Sequence, residues 1–316
     1  MIYVTILISL LLGLALLYFS SEVVVEKLVL LARYLGVSAF NIGFIVSSIG
    51  SDLPEIVNGI LSSFLGHGDI AIGNSIGSSN AQLLLILGLI PFFCTFCRLI
   101  PRPFMIVGAS EVIVLVLAVV LAVDGLVSRL DALILTFAWF LSIWVMRRFG
   151  GERIAVEESA DYKIESIRKG WTALGLLLGF VAMAIGSYLV VESVVLISDI
   201  FGISQYFVSF FLLSIGTSLP ELVVSVSSIR KRYYELAVGN IVGSNIVDLS
   251  LAISFAAFIS PMVVRSREIL FTGSYAIVTH TLVIGLLTYR GINDKRSGAV
   301  LLLLYLSTWL IPLIFF

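Results

Sequence analysis

Apolar runs long enough to cross a bilayer follow one another along almost the whole chain, near residues 2–31, 40–64, 70–93, 104–123, 128–147, 171–198, 206–229, 235–260, 267–289 and 298–315. A membrane helix needs about 20 such residues, and alternating ten-residue barrel strands are absent from the pattern. Hydrophobic residues make up 59% and charged residues 12% of the 316. Soluble domains carry about 25% charge, so a soluble globule could not bury this much apolar side chain. These runs predict an all-α polytopic membrane protein with ten transmembrane helices and exclude a soluble enzyme, a disordered chain and a coiled coil. The net charge of −1 supplies no bulk field to draw nucleic acid, and Cys94 and Cys97 cannot make a disulfide framework. The first twenty residues hold no Lys or Arg and no clean small-residue cleavage site, so they read as a retained first span.

A hydrophilic segment, residues 147–170, divides the runs into five and five. The halves repeat each other at an offset of 166 without a gap. Gly50-Ser-Asp-Leu-Pro-Glu55 falls on Gly216-Thr-Ser-Leu-Pro-Glu221, and Gly73 to Gln82 falls on Gly239 to Asp248. Composition bias gives scattered Val and Leu matches, not two Gly/Pro/Glu motifs at one offset. The expected units are a first five-helix repeat over 1–146, a cytoplasmic linker over 147–170 and a second repeat over 171–316. With both termini outside, sixteen of the 19 Lys and Arg fall on the inner side, leaving Arg129, Arg265 and Arg267 outside. Five spans per half is an odd number, so the repeats are expected to be inverted, a plan that places transporter sites near the membrane midplane.

Pro54 and Pro220 each stand inside an apolar run, directly before Glu55 and Glu221. Proline removes an intrahelical hydrogen bond and frees the carbonyl four residues back, here Gly50 and Gly216, with strain reaching those of Ser51 and Thr217. Loose carbonyls and a carboxylate at one depth make a cation site. Alone, one Pro-Glu pair could be a packing kink beside a protonated acid. Two copies in related halves weigh against that, because a central acid costs about 2.5–3.5 kcal/mol to insert. Asn74, Ser78 and Gln82 are four apart and share one helix face, as do Asn240, Ser244 and Asp248. Oxygen-rich, carboxylate-bearing sets suit hard cations such as calcium rather than zinc or copper.

On these motifs the sequence resembles the sodium/calcium exchanger family of the cation/calcium antiporter superfamily, compact prokaryotic type. The resemblance covers essentially the whole chain. It implies secondary active antiport of calcium against sodium in the cell membrane, with no cofactor and with calcium, sodium and the bilayer as partners. It makes Glu55 and Glu221 the calcium ligands, assisted by backbone oxygens of Ser51 and Thr217. Ser78, Ser214, Ser218, Ser244 and Asp248 fall at or beside positions that bind sodium or line the site. Two positions depart from the family pattern: Asp52 replaces a usual Ser, and Gln82 a usual Asn or Asp. Asp52 adds a fourth acid and a proton acceptor, which keeps proton/calcium antiport as the alternative. Against that alternative, positions 77 and 243 are Gly where the proton-coupled branch has Glu.

Paired membrane acids could also serve an intramembrane aspartyl protease, and proline-broken helices a channel. Two Pro-Glu motifs, and a reading that finds no Gly-x-Gly-Asp motif, argue against the first, and an asymmetric oxygen cluster argues against the second. His280 is expected to be a hydrogen-bonded structural group, and Glu26, Glu192 and Glu111 to be acids that snorkel from helix ends.

Overall fold

The computed structural model describes residues 2–34, 50–93, 96–149, 169–230 and 234–315. Its helices are α1 (Ile2–Tyr34), α2 (Leu53–Phe64), α3 (Gly68–Asn80), α4 (Leu87–Phe93), α5 (Pro101–Ala122), α6 (Arg129–Phe149), α7 (Lys169–Phe201) and α8 (Gln205–Val208). They continue as α9 (Ser214–Thr217), α10 (Leu219–Arg230), α11 (Tyr234–Val247), α12 (Ile253–Ile259), α13 (Ser266–Arg290), α14 (Lys295–Thr308) and α15 (Leu310–Phe315). Wide π turns at Ala81–Ile86, Ser209–Leu213 and Asp248–Ala252 join α3 to α4, α8 to α9 and α11 to α12.

Eight helical stretches among the described residues are long and apolar enough to cross a membrane, as befits a polytopic helical membrane protein. They coincide with eight of the ten expected runs. The run at 40–64 is described only from Gly50 onward, and the run at 298–315 falls on α14 and α15. Most of the 147–170 segment lies outside the described residues.

Burial separates centre from periphery. In the spans Gly68–Phe93 and Ala237–Ile259, 78% and 83% of the apolar window is buried, against 17% for Arg129–Phe149. The two central spans are those that carry the Gly-Asn motifs. Polar side chains are tolerated there because protein rather than lipid surrounds them. The lipid-facing helix α6 instead exposes Leu130, Leu133, Phe137, Phe140 and Trp144.

The two long helices α1 and α7 make the most extensive helix contact in the molecule. Lipid gives no hydrophobic drive between such helices, so close approach at small residues supplies the packing. A Cβ on Gly13 would come within 2.7 Å of the Gly186 carbonyl oxygen, and one on Gly186 within 2.8 Å of that of Gly13. Around this crossing Leu10, Leu17, Val24, Met183, Val190 and Val194 form an apolar cluster separate from the larger core of the other helices.

Short strands modify the all-α expectation. β1 (Phe96–Arg98) pairs antiparallel with β4 (Ile292–Asp294), and β2 (Leu126–Val127) with β3 (Met262–Val263). At the 166-residue offset β1 corresponds to β3 and β2 to β4, so each half lends one strand to each ribbon. Beside β4, the Arg290 guanidinium holds the Asp294 carboxyl well below the usual carboxylate range. Asp294 in turn caps α14 by accepting from the Ser297 backbone N–H at 2.9 Å.

Candidate cation site

The second Pro-Glu motif breaks its helix instead of kinking it, and α2 starts in the same way at the first. Asp52 has φ −86°, ψ 5°, and its repeat counterpart Ser218 has φ −81°, ψ 8°. This sparsely populated bridge conformation ends one helical segment and starts another. α2 and α10 restart one residue later, with Pro54 and Pro220 near their N-termini, where a missing N–H costs no intrahelical bond. Glu55 and Glu221 therefore lie in first turns, at the positive ends of helix dipoles that point into the protein.

Asp52 occupies the N-cap of α2, where an aspartate ordinarily accepts a backbone N–H. It makes no such bond. Its carboxylate instead joins Glu55 and Asp248, and one oxygen from each of the three lies within 4.8 Å of the others. Ser244 and Glu221 are its side-chain neighbours. Glu221 also faces Glu55. All four acids are essentially inaccessible, at 0–1% exposure.

Gln82 and Asp248 sit at corresponding places in two π turns. Such turns recur at functional sites because they re-aim side chains. Here the Gln82 amide donates to Asp248 Oδ2 at 2.9 Å and to Ser218 Oγ at 3.4 Å. On the other flank Thr217 donates to Asn74 Oδ1 at 3.2 Å, lies 3.4 Å from Ser78 Oγ and neighbours Glu55.

Seven of the eight carboxylate oxygens have no hydrogen-bond partner among the described residues; the exception is Asp248 Oδ2. Ser51 Oγ, Ser244 Oγ and Gln82 Oε1 are likewise buried and unpartnered. Buried polar atoms are almost always satisfied, so this concentration needs a ligand to explain it. Calcium takes 6–8 oxygens at about 2.3–2.6 Å, which puts oxygens on opposite sides of the ion about 5 Å apart. The spacing and chemistry of the acid cluster fit such an ion.

Of the residues expected from sequence, Asp52, Glu55, Glu221, Asp248, Gln82, Ser218, Ser244, Thr217, Ser78 and Asn74 come together. Ser214 is buried but donates to the Phe210 carbonyl of its own helix at 2.5 Å, and Asn240 is only half-buried. Asn58 is an addition that the motif reading missed. It lies three residues after Glu55, is fully buried, and its Oδ1 accepts from Ser187 of α7 at 3.2 Å. Its signal was an amide inside an apolar run. Asn245, also fully buried with both amide atoms unpartnered among the described residues, lies within the second motif.

Two expectations are corrected. Glu111 does not snorkel: it is fully buried in α5, with Oε1 2.6 Å from Nδ1 of a fully buried His280. His280 is thus hydrogen-bonded, as expected, but not solitary. The chain also contains Gly66-His67-Gly68-Asp69, the Gly-x-Gly-Asp pattern of intramembrane aspartyl proteases. Asp69 is held by Arg265, through its backbone N–H at 2.7 Å and its guanidinium at 3.3 Å. It shares Arg265 with Glu268 and belongs to no cluster of three acids among the described residues.

Comparison with known proteins identifies the family. Inner membrane protein YrbG of Escherichia coli (strain K12) is 28% identical over 326 residues, covering 96% of this chain and 97% of that protein. Sodium/calcium exchanger MaX1 of Methanosarcina acetivorans is 28% identical over 342 residues, covering 97% of each. A solved structure of the sodium-calcium exchanger NCX_Mj, soaked with Na+ and Sr2+, matches with a TM-score of 0.62 at 25% identity, over 97% of this chain and 98% of that one. The model of the family described as sodium/calcium exchanger protein matches residues 5–147 and 171–314. With both halves matched, this chain belongs to the sodium/calcium exchanger protein family.

Proposed function

We propose that the protein is a secondary active antiporter that exchanges calcium for sodium by alternating access at a midplane carboxylate site. One observation carries this reading: Asp52, Glu55 and Asp248 converge within 4.8 Å, fully buried, on helices that interrupt themselves at the motifs. Glu55 and Glu221 bind calcium, with Ser51 and Thr217 contributing oxygens. Asp52, Asp248, Gln82, Asn74, Ser78, Ser218 and Ser244 complete the cation site, and Ser214 and Asn240 line its approaches.

Four buried carboxylates without cations would leave several unpaired charges in a low dielectric. Calcium or several monovalent ions restore near neutrality. An empty carrier therefore resists switching, and the obligatory exchange follows from electrostatics. The two access states are rigid-body arrangements around one site.

The architecture that goes with this reading is ten helices in two inverted five-helix repeats, 1–146 and 171–316, joined by a cytoplasmic linker at 147–170, with both termini outside. The exchanged strands of the two ribbons support it, as does the Gln82–Asp248 contact between corresponding residues. The two stretches matched to the family support the division.

Calcium uptake into proteoliposomes under an outward sodium gradient, compared with an outward proton gradient, tests the coupling ion. Sodium-driven uptake is expected. Uptake driven only by protons would overturn the sodium assignment in favour of proton/calcium antiport, the reading that the placement of Asp52 inside the acid cluster favours.

A further inference from the structure

Glu111 on α5 and His280 on α13 form a second ionisable cluster that the transport mechanism does not use. Both are at 0% exposure, with Nδ1 of His280 2.6 Å from Glu111 Oε1. The Ser79 hydroxyl on α3 donates to the same oxygen at 3.4 Å. Glu111 Oε2 and His280 Nε2 are buried without a partner among the described residues.

The fold does not need a polar pair at this crossing. At the 166-residue offset Glu111 corresponds to Ile277 and His280 to Val114. That related pair of positions is filled by hydrocarbon within the main apolar core. Two ionisable groups are costly where hydrocarbon serves elsewhere, so the Glu111–His280 pair has a use that packing does not supply.

Charge accounting points to a proton. With one proton on Nδ1 and one on Nε2, imidazolium and carboxylate cancel. Without the second proton the pair carries one negative charge. Among the described residues, the ionisable groups inside the packed helices include Tyr206, hydrogen-bonded to Thr272 of α13, Tyr275, which donates to the Leu304 carbonyl, Tyr305 on α14, and Asp248, which is bonded to Gln82. Other charges on these helices lie in terminal turns; Asp69 and Glu268, for example, face Arg265. No cation there balances a deprotonated pair. Its negative charge then draws most strongly on the remaining donor in reach, the Ser79 hydroxyl, one residue from Ser78 of the cation site.

We propose that the Glu111–His280 pair is a proton-binding site separate from the cation site, and that its proton sets the position of α3 through Ser79. Only the transport readout rests on the proposed antiport; proton binding itself is read independently. The chain has two histidines, so His67→Gln leaves His280 as the single imidazole. In that variant, nitrogen NMR of labelled histidine is expected to show His280 signals that depend on pH, with a response altered by adding Glu111→Gln. Signals independent of pH, or unaffected by Glu111→Gln, overturn the proposal.

In proteoliposomes the pH dependence of the calcium KM is expected to lose one component in Glu111→Gln while uptake persists. A pH profile identical to wild type overturns the link to α3. Should Glu111→Gln fail to fold, the double variant Glu111→Ile/His280→Val copies the hydrocarbon pair of the other half. It is expected to fold and to lose the same component. If it does not fold, the pair is a structural strut and the proposal fails. If Glu55→Gln/Glu221→Gln leaves transport intact while His280 still titrates with Glu111, the cation-site reading has failed and the proton site stands.

Discussion

Gln82 donates a 2.9 Å hydrogen bond to Asp248, the residue that stands at its own position in the other half of the chain. The two meet because a related π turn in each half aims its first polar residues inward. The contact joins the two halves of the chain beside the acid cluster.

Gln82→Ala removes the donor to Asp248 Oδ2 and the unpartnered Oε1. A hydrogen bond to a charged group contributes about 1.5–3 kcal/mol. The calcium KM is expected to rise about tenfold or more, measured as initial uptake rates in proteoliposomes. An unchanged KM would show that Asp248 needs no positioning.

Glu55→Gln/Glu221→Gln is expected to abolish calcium transport while leaving the protein monodisperse and helical. Calcium should raise the unfolding temperature of the wild type, since a ligand that binds only the folded state stabilises it. That calcium-dependent rise should vanish in the double variant. Retained exchange would refute the site.

Asp52→Ser gives the first motif the hydroxyl that the second has at Ser218. It removes a fully buried carboxylate whose oxygens have no partner among the described residues. Stability without calcium is expected to rise by about 1–3 kcal/mol, the usual penalty of an unsatisfied buried group. Calcium affinity is expected to fall, and any proton-driven uptake to fall relative to sodium-driven uptake. Parallel thermal unfolding and flux measurements check the three outcomes; unaltered ion dependence would exclude Asp52 from coupling.

Gly77→Ala drives a Cβ into the Phe210 carbonyl oxygen and to 2.7 Å from its Cα. Backbone must move, and overpacking of this kind costs about 1–3 kcal/mol. A lowered unfolding temperature in detergent is expected. Gly285→Ala, where nothing lies within 4 Å among the described residues, is the control and should show no loss.

Much of the site was legible in the chain because its chemistry is written as repeated, unlikely neighbours. Pro-Glu inside apolar runs and polar residues four apart are meaningful without coordinates, since a membrane tolerates them only for a reason. Asn58 and Glu111 were not legible in the same way. Each stands in an apolar run outside the motif letters, and only the facing helix tells a buried partner from a snorkelling end. The short strands escaped too, because two- or three-residue pairings leave no periodicity.

Hydropathy, the 166-residue repeat and the motif letters establish the helical membrane class and the family and pick out the acids of the candidate site, because these depend on local composition and spacing. Tertiary structure decides the rest. It turns Asp52 away from capping α2 and into the acid cluster, and it engages Gln82 with Asp248. It also pairs Glu111 with His280 and occupies the Ser214 hydroxyl within its own helix. Those outcomes depend on which helix faces meet across more than a hundred residues of chain, and on the free energy of leaving buried charge unpaired. Neither is a property of any single segment.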